Sequence, residues 1–194
     1  MELNNKEIAH RIAALREDLG LSMQEMAEAT GRTVIEYAAQ ESGEHDLSFT
    51  FLHKCAKALQ VDLVELLTGT APVLNEYQLV KSGEGLSIMR SSGFEYLHKA
   101  ASLKNKLAEP FVVTAPYIEE EQNKPIHLSY HKGQEIDFIL SGTLKFAYED
   151  KIEIMKPGDF IMYDSGKGHG MIAIDGAPCT FLAVVIDPPN TRFI

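Results

Sequence analysis

A chain of 194 residues with a net charge of −10, 45% hydrophobic and 24% charged, has the make-up of a globular protein with room for one large or two small cores. Its apolar runs stop short of the roughly 20 residues that a membrane helix needs, and Met1-Glu2-Leu3-Asn4-Asn5-Lys6 lacks the basic-then-apolar order of a secretory leader. A cytoplasmic protein without a membrane partner is therefore expected, and Cys55 and Cys179, in different segments, read as buried thiols rather than a disulfide framework.

Ile8, Ile12, Leu15 and Leu19 recur at helical spacing up to a stop at Gly20. Ser22 with Glu25 forms a capping-box pattern for a second helix holding Met26, Ala27 and Ala29. After Thr30-Gly31-Arg32, the pair Thr33 and Glu36 repeats that pattern for a third helix ending at Gly43. A fourth helix from about Ser48 places Leu52, Cys55, Ala56 and Leu59 on one face, and Leu63, Leu66 and Leu67 predict a fifth. Residues 1–70 contain six Lys or Arg against twelve Asp or Glu. A DNA-reading use of this acidic segment would therefore concentrate Arg11, Arg16, Arg32 and Lys54 on one face.

Helix two, a glycine turn and helix three have the spacing of a helix-turn-helix. Through Leu21-Ser22-Met23-Gln24-Glu25-Met26-Ala27, Thr30-Gly31, Glu41-Ser42-Gly43-Glu44 and Ala56-Lys57-Ala58-Leu59-Gln60-Val61, the segment resembles the phage-repressor-like, XRE-type family of helix-turn-helix regulators. The resemblance implies contact with double-stranded DNA through Ser22, Gln24, Arg32, Thr33, Val34, Ile35, Ala38 and Ala39. It departs from the family where Val34-Ile35-Glu36-Tyr37-Ala38-Ala39-Gln40 replaces the usual hydrogen-bonding side chains: apolar groups touch a thymine methyl but make no bidentate base contacts. Arg32 and Gln40 also stand where the family usually buries apolar residues.

Thr68-Gly69-Thr70-Ala71-Pro72 breaks the helical pattern, giving an expected division into a helix-turn-helix domain at 1–68, a linker at 69–78 and a β domain at 79–194. Turns at Ser82-Gly83-Glu84-Gly85 and Ser91-Ser92-Gly93 flank a short strand from Leu86 to Arg90; Phe94 to His98 reads as another strand, with His98 on the surface, followed by an exposed lysine-rich loop. From Phe111 the period becomes two, and Gly-rich corners separate strands at 136–140, 144–148, 160–163 and 181–186, as in an antiparallel jelly-roll. Alternation puts His127, Ser129 and His131 on one strand face and Glu135 and Asp137 on one face of the next, while His169 opens a further strand. Imidazole and carboxylate donors converging inside a barrel suit a divalent transition metal.

This segment resembles the cupin family through His131-Lys132-Gly133-Gln134-Glu135-Ile136-Asp137-Phe138-Ile139-Leu140-Ser141-Gly142 and through Pro157-Gly158-Asp159-Phe160 up to Gly168-His169-Gly170. The resemblance implies a double-stranded β-helix in which His131, Glu135 and His169 match three metal ligands. The fourth ligand position is Ser129, with His127 on the same face as a substitute. Whether these residues hold one divalent metal or organise a metal-free pocket stays open, and His127, Ser129, His131, Glu135, Asp137 and His169 are the expected effector pocket in both cases. Together the two resemblances imply a non-enzymatic, DNA-binding transcription regulator: a homodimer in which a small-molecule effector biases the placement of two reader domains. The rival readings are a metal-dependent cupin dioxygenase or isomerase, and an adaptor whose helix-turn-helix has lost DNA.

Overall fold

The computed structural model describes residues 4–89 and 93–186. The chain divides into two units: the first runs to Gln78 and takes in Met89 and Ala101–Lys104, and the second holds the other described residues.

The first unit contains α1 (Asn5–Asp18), α2 (Met23–Thr30), α3 (Val34–Glu41), α4 (Phe49–Ala58) and α5 (Leu63–Thr68). Both predicted capping boxes form. Ser22 and Thr33 each accept from the backbone N–H three residues on, while Glu25 and Glu36 accept from the backbone N–H of the cap. These reciprocal bonds satisfy helix-end donors that would otherwise face only water, and they fix where α2 and α3 begin. Between them Gly31 ends α2 at φ 70°, a left-handed backbone that favours glycine. Ile8, Ile12, Met26, Tyr37, Phe51, Leu59 and Leu66 are buried and form the core. Leu19, expected to end the apolar stripe of the first helix, is exposed because α1 stops at Asp18 and Leu19 becomes its cap.

The second unit is built from β1 (Leu86–Met89), β2 (Glu95–His98), β3 (Ala108–Ala115), β4 (Gln134–Ser141), β5 (Thr143–Tyr148), β6 (Lys151–Met155), β7 (Phe160–Asp164), β8 (His169–Ile174) and β9 (Cys179–Ile186). They form a six-stranded sheet in the order β1-β2-β3-β9-β4-β7 and a three-stranded sheet in the order β6-β5-β8. The all-α bundle followed by a jelly-roll of two antiparallel sheets is the expected fold class. Alternate residues of the strands point between the sheets, burying Phe111 and Val113 of β3, Ile139 of β4, Leu144 and Phe146 of β5, Ala173 of β8 and Phe181, Ala183 and Val185 of β9.

One expectation lies outside the described residues and several others are corrected. Arg90, Ser91 and Ser92, part of the predicted strand and turn, lie outside the described residues. Residues 127–131 do not form a strand: only an isolated antiparallel bridge joins Ser129 to His169. His98 is wholly buried rather than on the surface, and the lysine-rich loop after it carries Lys106, whose side chain is 2% exposed. The backbone N–H of Ala100 donates to His98 Nδ1 at 3.0 Å, so the ring carries its proton on Nε2, 2.5 Å from Glu109 Oε2. A buried imidazole hydrogen-bonded at both nitrogens is a satisfied core residue.

Candidate metal centre and nucleic-acid interface

Three ionisable side chains meet inside the β unit. Glu135 points inward from β4, His169 starts β8, and His131 lies just before β4, held by its backbone N–H donating to Ser165 O at 2.8 Å. One ligand atom from each lies within 4.8 Å of the others, and all three residues are buried. His131 Nε2 is 2.9 Å and His169 Nε2 3.8 Å from Glu135 Oε2. His169 Nδ1 lies 2.9 Å from Lys167 O; donating its proton there leaves the Nε2 lone pair aimed at the carboxylate. That is how a metal-binding imidazole is oriented, by a backbone carbonyl on its far nitrogen. Burial pushes the His169 pKa below its ordinary value, with His131 adding to the effect while Lys167 O and Glu135 oppose it. A neutral imidazole at neutral pH is the ligating form. The cluster is thus compatible with a divalent metal, with His131, Glu135 and His169 as the residues to hold it.

The other predicted pocket residues take different places. Ser129 exchanges both backbone hydrogen bonds with His169, at 2.7 and 3.1 Å, so its side chain shares the face of the His169 imidazole. Asp137, one inward step along β4 from Glu135, is wholly buried and accepts from the Tyr163 hydroxyl at 3.1 Å. Burial first and the Glu135 charge second push its pKa well up, which favours a protonated carboxyl. His127 does not join the cluster. The pairing with β8 extends no further than the Ser129 bridge; two residues earlier the side chain is exposed and borders a separate cavity of about 350 Å³ with Phe94, Ile118 and Met171. Sequence alternation missed this cavity because, apart from Met171 and Ile172 of β8, its walls come from residues outside the strands, with no period.

In the helical unit the predicted contact residues lie at the start of α2 and along α3. Ile35 is 83% exposed, Val34 and Met23 are exposed, and Ala38, Ala39 and Arg32 are half-buried. Ser22, Gln24 and Thr33 are exposed, but their polar groups are engaged: the two hydroxyls in the capping boxes, and Gln24 Nε2 in a 2.7 Å bond to Glu28. The cations that a DNA-reading face would draw on, Arg11, Arg16 and Lys54, make structural contacts. Arg16 is buried, with Nε 2.7 Å from Glu41 Oε1 and Nη2 3.1 Å from Oε2, and the Tyr37 hydroxyl donates to the same carboxylate at 2.8 Å. Arg11 Nη1 donates to Leu66 O and Leu67 O at the end of α5, and Lys54 Nζ donates to Thr30 O. Glu41 was readable only as part of a family motif; its role as the buried partner that ties α3 to α1 has no signature in spacing.

Comparisons with known proteins agree with this division. Residues 12–66 match the helix-turn-helix family and residues 118–185 the cupin domain family. The crystal structure of an HTH_3 family transcriptional regulator from Vibrio cholerae is similar over 95% of this chain and 97% of that one, with 20% identity and a TM-score of 0.68, a likeness of fold. Hydroxypropylphosphonic acid epoxidase from S. wedmorenis aligns over 96% of this chain and 100% of its own, at 20% identity and a TM-score of 0.47, too low to carry weight. No curated protein sequence shows significant similarity. No helix among the described residues is long and apolar enough to cross a membrane.

Proposed function

We propose that this chain, a helix-turn-helix domain followed by a cupin domain, is a transcription regulator that binds duplex DNA as a homodimer and senses a small molecule, a divalent metal or both through its barrel. The observation that carries the reading is the pairing of the two domains, the first presenting an exposed α3 face behind a formed capping box. The composition of α3 sets the manner of binding. Val34 and Ile35 offer only apolar contact to bases, so affinity would rest on phosphate contacts and on doubling the half-site.

The homodimer is supported by the outer face of the six-stranded sheet. Phe160 and Met162 of β7 stand in register with Phe138 and Ile136 of β4, which stand in register with Leu182 and Val184 of β9. Phe160 is 59% exposed, and Met162 and Leu140 are also exposed. A row of large apolar side chains across adjacent strands is what a self-associating face requires.

One observation favours a second reading. The His131, Glu135 and His169 cluster could hold a metal that polarises or activates a substrate, as in a cupin enzyme. In that use Glu135 and the two imidazoles would bind the ion and Tyr163 and Asp137 would close the wall behind it. Two measurements on the purified full chain separate the readings: metal content with turnover of small acids and sugars, and electrophoretic retardation of the duplex upstream of its own gene. Retardation without turnover is expected; stoichiometric iron or manganese with turnover and no retardation would overturn the regulator.

A further inference from the structure

The cavity beside β8 is separate from the His131, Glu135 and His169 cluster, and its construction is that of a ligand site. Its walls are mainly apolar: Phe94, Pro116, Ile118, Ile126, Met171 and Ile172. Its volume of about 350 Å³ lies at the small end of the range for small-molecule sites. Among the described residues no lysine or arginine lines it; the carboxylate at its rim, Glu121, is 2.7 Å from Lys124 Nζ, and the other titratable lining side chain is the exposed His127. Among the described residues a charged ligand would therefore find no permanently charged counter-ion inside, His127 standing exposed at the border.

The polar element of the cavity is a strand edge. Along β8, alternate residues turn their backbone N–H and C=O to the side away from β5. His169 uses both groups on Ser129, and Ala173 O accepts from Gln122 Nε2 at 3.0 Å. Met171 lies between them, its N–H and C=O directed by the same alternation to that edge, at the cavity wall. The chain on the other side is close at Gly170, where a Cβ would come within 2.2 Å of His127 O, and Ile126 and His127 of that chain line the cavity. A ligand with an adjacent donor and acceptor matches this edge as a neighbouring strand would.

We propose that this cavity is the effector site of the barrel, and that it takes a small, uncharged, predominantly apolar molecule carrying one amide group, the amide pairing with the Met171 edge and the apolar body lying against Phe94, Ile118 and Ile172. This deepens the regulator reading and rests on it for the word effector. The site also has a route to the cluster. Met171 is two residues from His169 on the same strand face, and the segment from Ile126 to His131 joins the far wall to the His131 ligand. Occupancy therefore bears on the same two elements that position the histidines.

The test uses the full chain labelled with carbon-13 in its methionine methyl groups, with hexanamide as the probe and hexanoate and hexylamine as charged controls. The chain has seven methionines, and a Met171→Leu spectrum assigns the relevant signal. Hexanamide is expected to move the Met171 signal saturably, with a dissociation constant on the order of 1 mM for a probe of about eight heavy atoms, and both controls at least about tenfold more weakly. Ile118→Trp, and independently Ile172→Trp in case the first disturbs the turn at Glu119–Glu121, should fill the cavity and abolish the response while the other methionine signals stay in place. Absence of a saturable Met171 shift in the wild type, a shift that survives both fillings, or equal binding of hexanoate would overturn the site. Retardation of upstream DNA is measured on the same sample. DNA binding with no Met171 response sinks the site and leaves the regulator; a Met171 response with no DNA binding keeps the site and sinks the regulator.

Discussion

At the scale of single residues, the His169 imidazole is the most informative side chain because its two nitrogens have different tasks. Nδ1 is committed to Lys167 O, so Nε2 is the atom available to an ion beside Glu135. Replacing His169 by Ala should lower Zn²⁺ or Ni²⁺ affinity by more than about tenfold with the barrel still folded. Ser129→His should raise it, because the Ser129 side chain shares the face of His169 across the bridge. Calorimetric titration of the three proteins checks this, and equal weak binding in all would contradict the metal centre. Titration of the metal-free protein reads the neighbouring groups. The folded His169 holds its proton less tightly than its ordinary value of 6.5, so stability is fully present above that pH and declines as pH falls through it. Asp137 has the opposite sign: its folded pKa is raised well above 3.8, so its contribution is present below that pH and is lost as pH rises through the folded value. Asp137→Asn keeps an acceptor for Tyr163 and removes this loss. Its thermal midpoint should gain on the wild type as pH rises from 4 to 8, and a constant difference would show that Asp137 is ionised throughout. The three clustered residues were legible through the cupin motif. Asp137 was placed on the right face by alternation, but its protonation depends on burial and on Glu135, which no motif records. His98 was misread because its partner Glu109 is brought to it by the pairing of β2 with β3.

At the scale of elements, α3 is held from behind by charge and presented to solvent with little of it. The ion pair of Arg16 with Glu41 has side chains 10% and 5% exposed, and the Tyr37 hydroxyl completes the carboxylate. Removing one member of such a pair leaves a buried charge alone, which costs about 3–5 kcal/mol. Arg16→Ala should therefore destabilise the helical unit by that order in denaturant unfolding. Arg32→Ala should leave stability within about 0.5 kcal/mol and weaken DNA binding with a shallower salt slope. A stable Arg16→Ala protein with lost DNA binding would reverse these roles. Capping boxes at Ser22 and Thr33 were readable because they are local in sequence, and so were the Gly-bounded strands. β6 was not, although Ile152 and Ile154 alternate with Lys151 and Glu153: it is an edge strand exposed on both faces, and alternation marks a strand only where one face is buried. The segment at 127–131 failed for the converse reason. Its period of two is present, but only one residue of β8 pairs with it.

At the scale of the whole molecule, the proposed regulator, an acidic chain with few cations left on its helical domain, would need a second copy to hold DNA. Phe160→Glu puts a charge on the apolar sheet face, on its edge strand β7. It should convert a dimer to a monomer in sedimentation analysis and weaken DNA binding by at least about tenfold, since one half-site is then held without the other. A dimer that survives the substitution would place the interface elsewhere. The domain order and both families could be read from motifs, whereas the position of the cavity beside β8 depended on the close crossing of the chain at His127 beside Gly170, a matter of backbone path that leaves no residue pattern. The most direct measurement of the central claim is the affinity of the full chain for the duplex upstream of its own gene across a salt series. Binding at low salt that falls steeply as salt rises, with retardation appearing at dimer-forming concentrations, is the predicted result. No binding at the lowest salt would contradict the account.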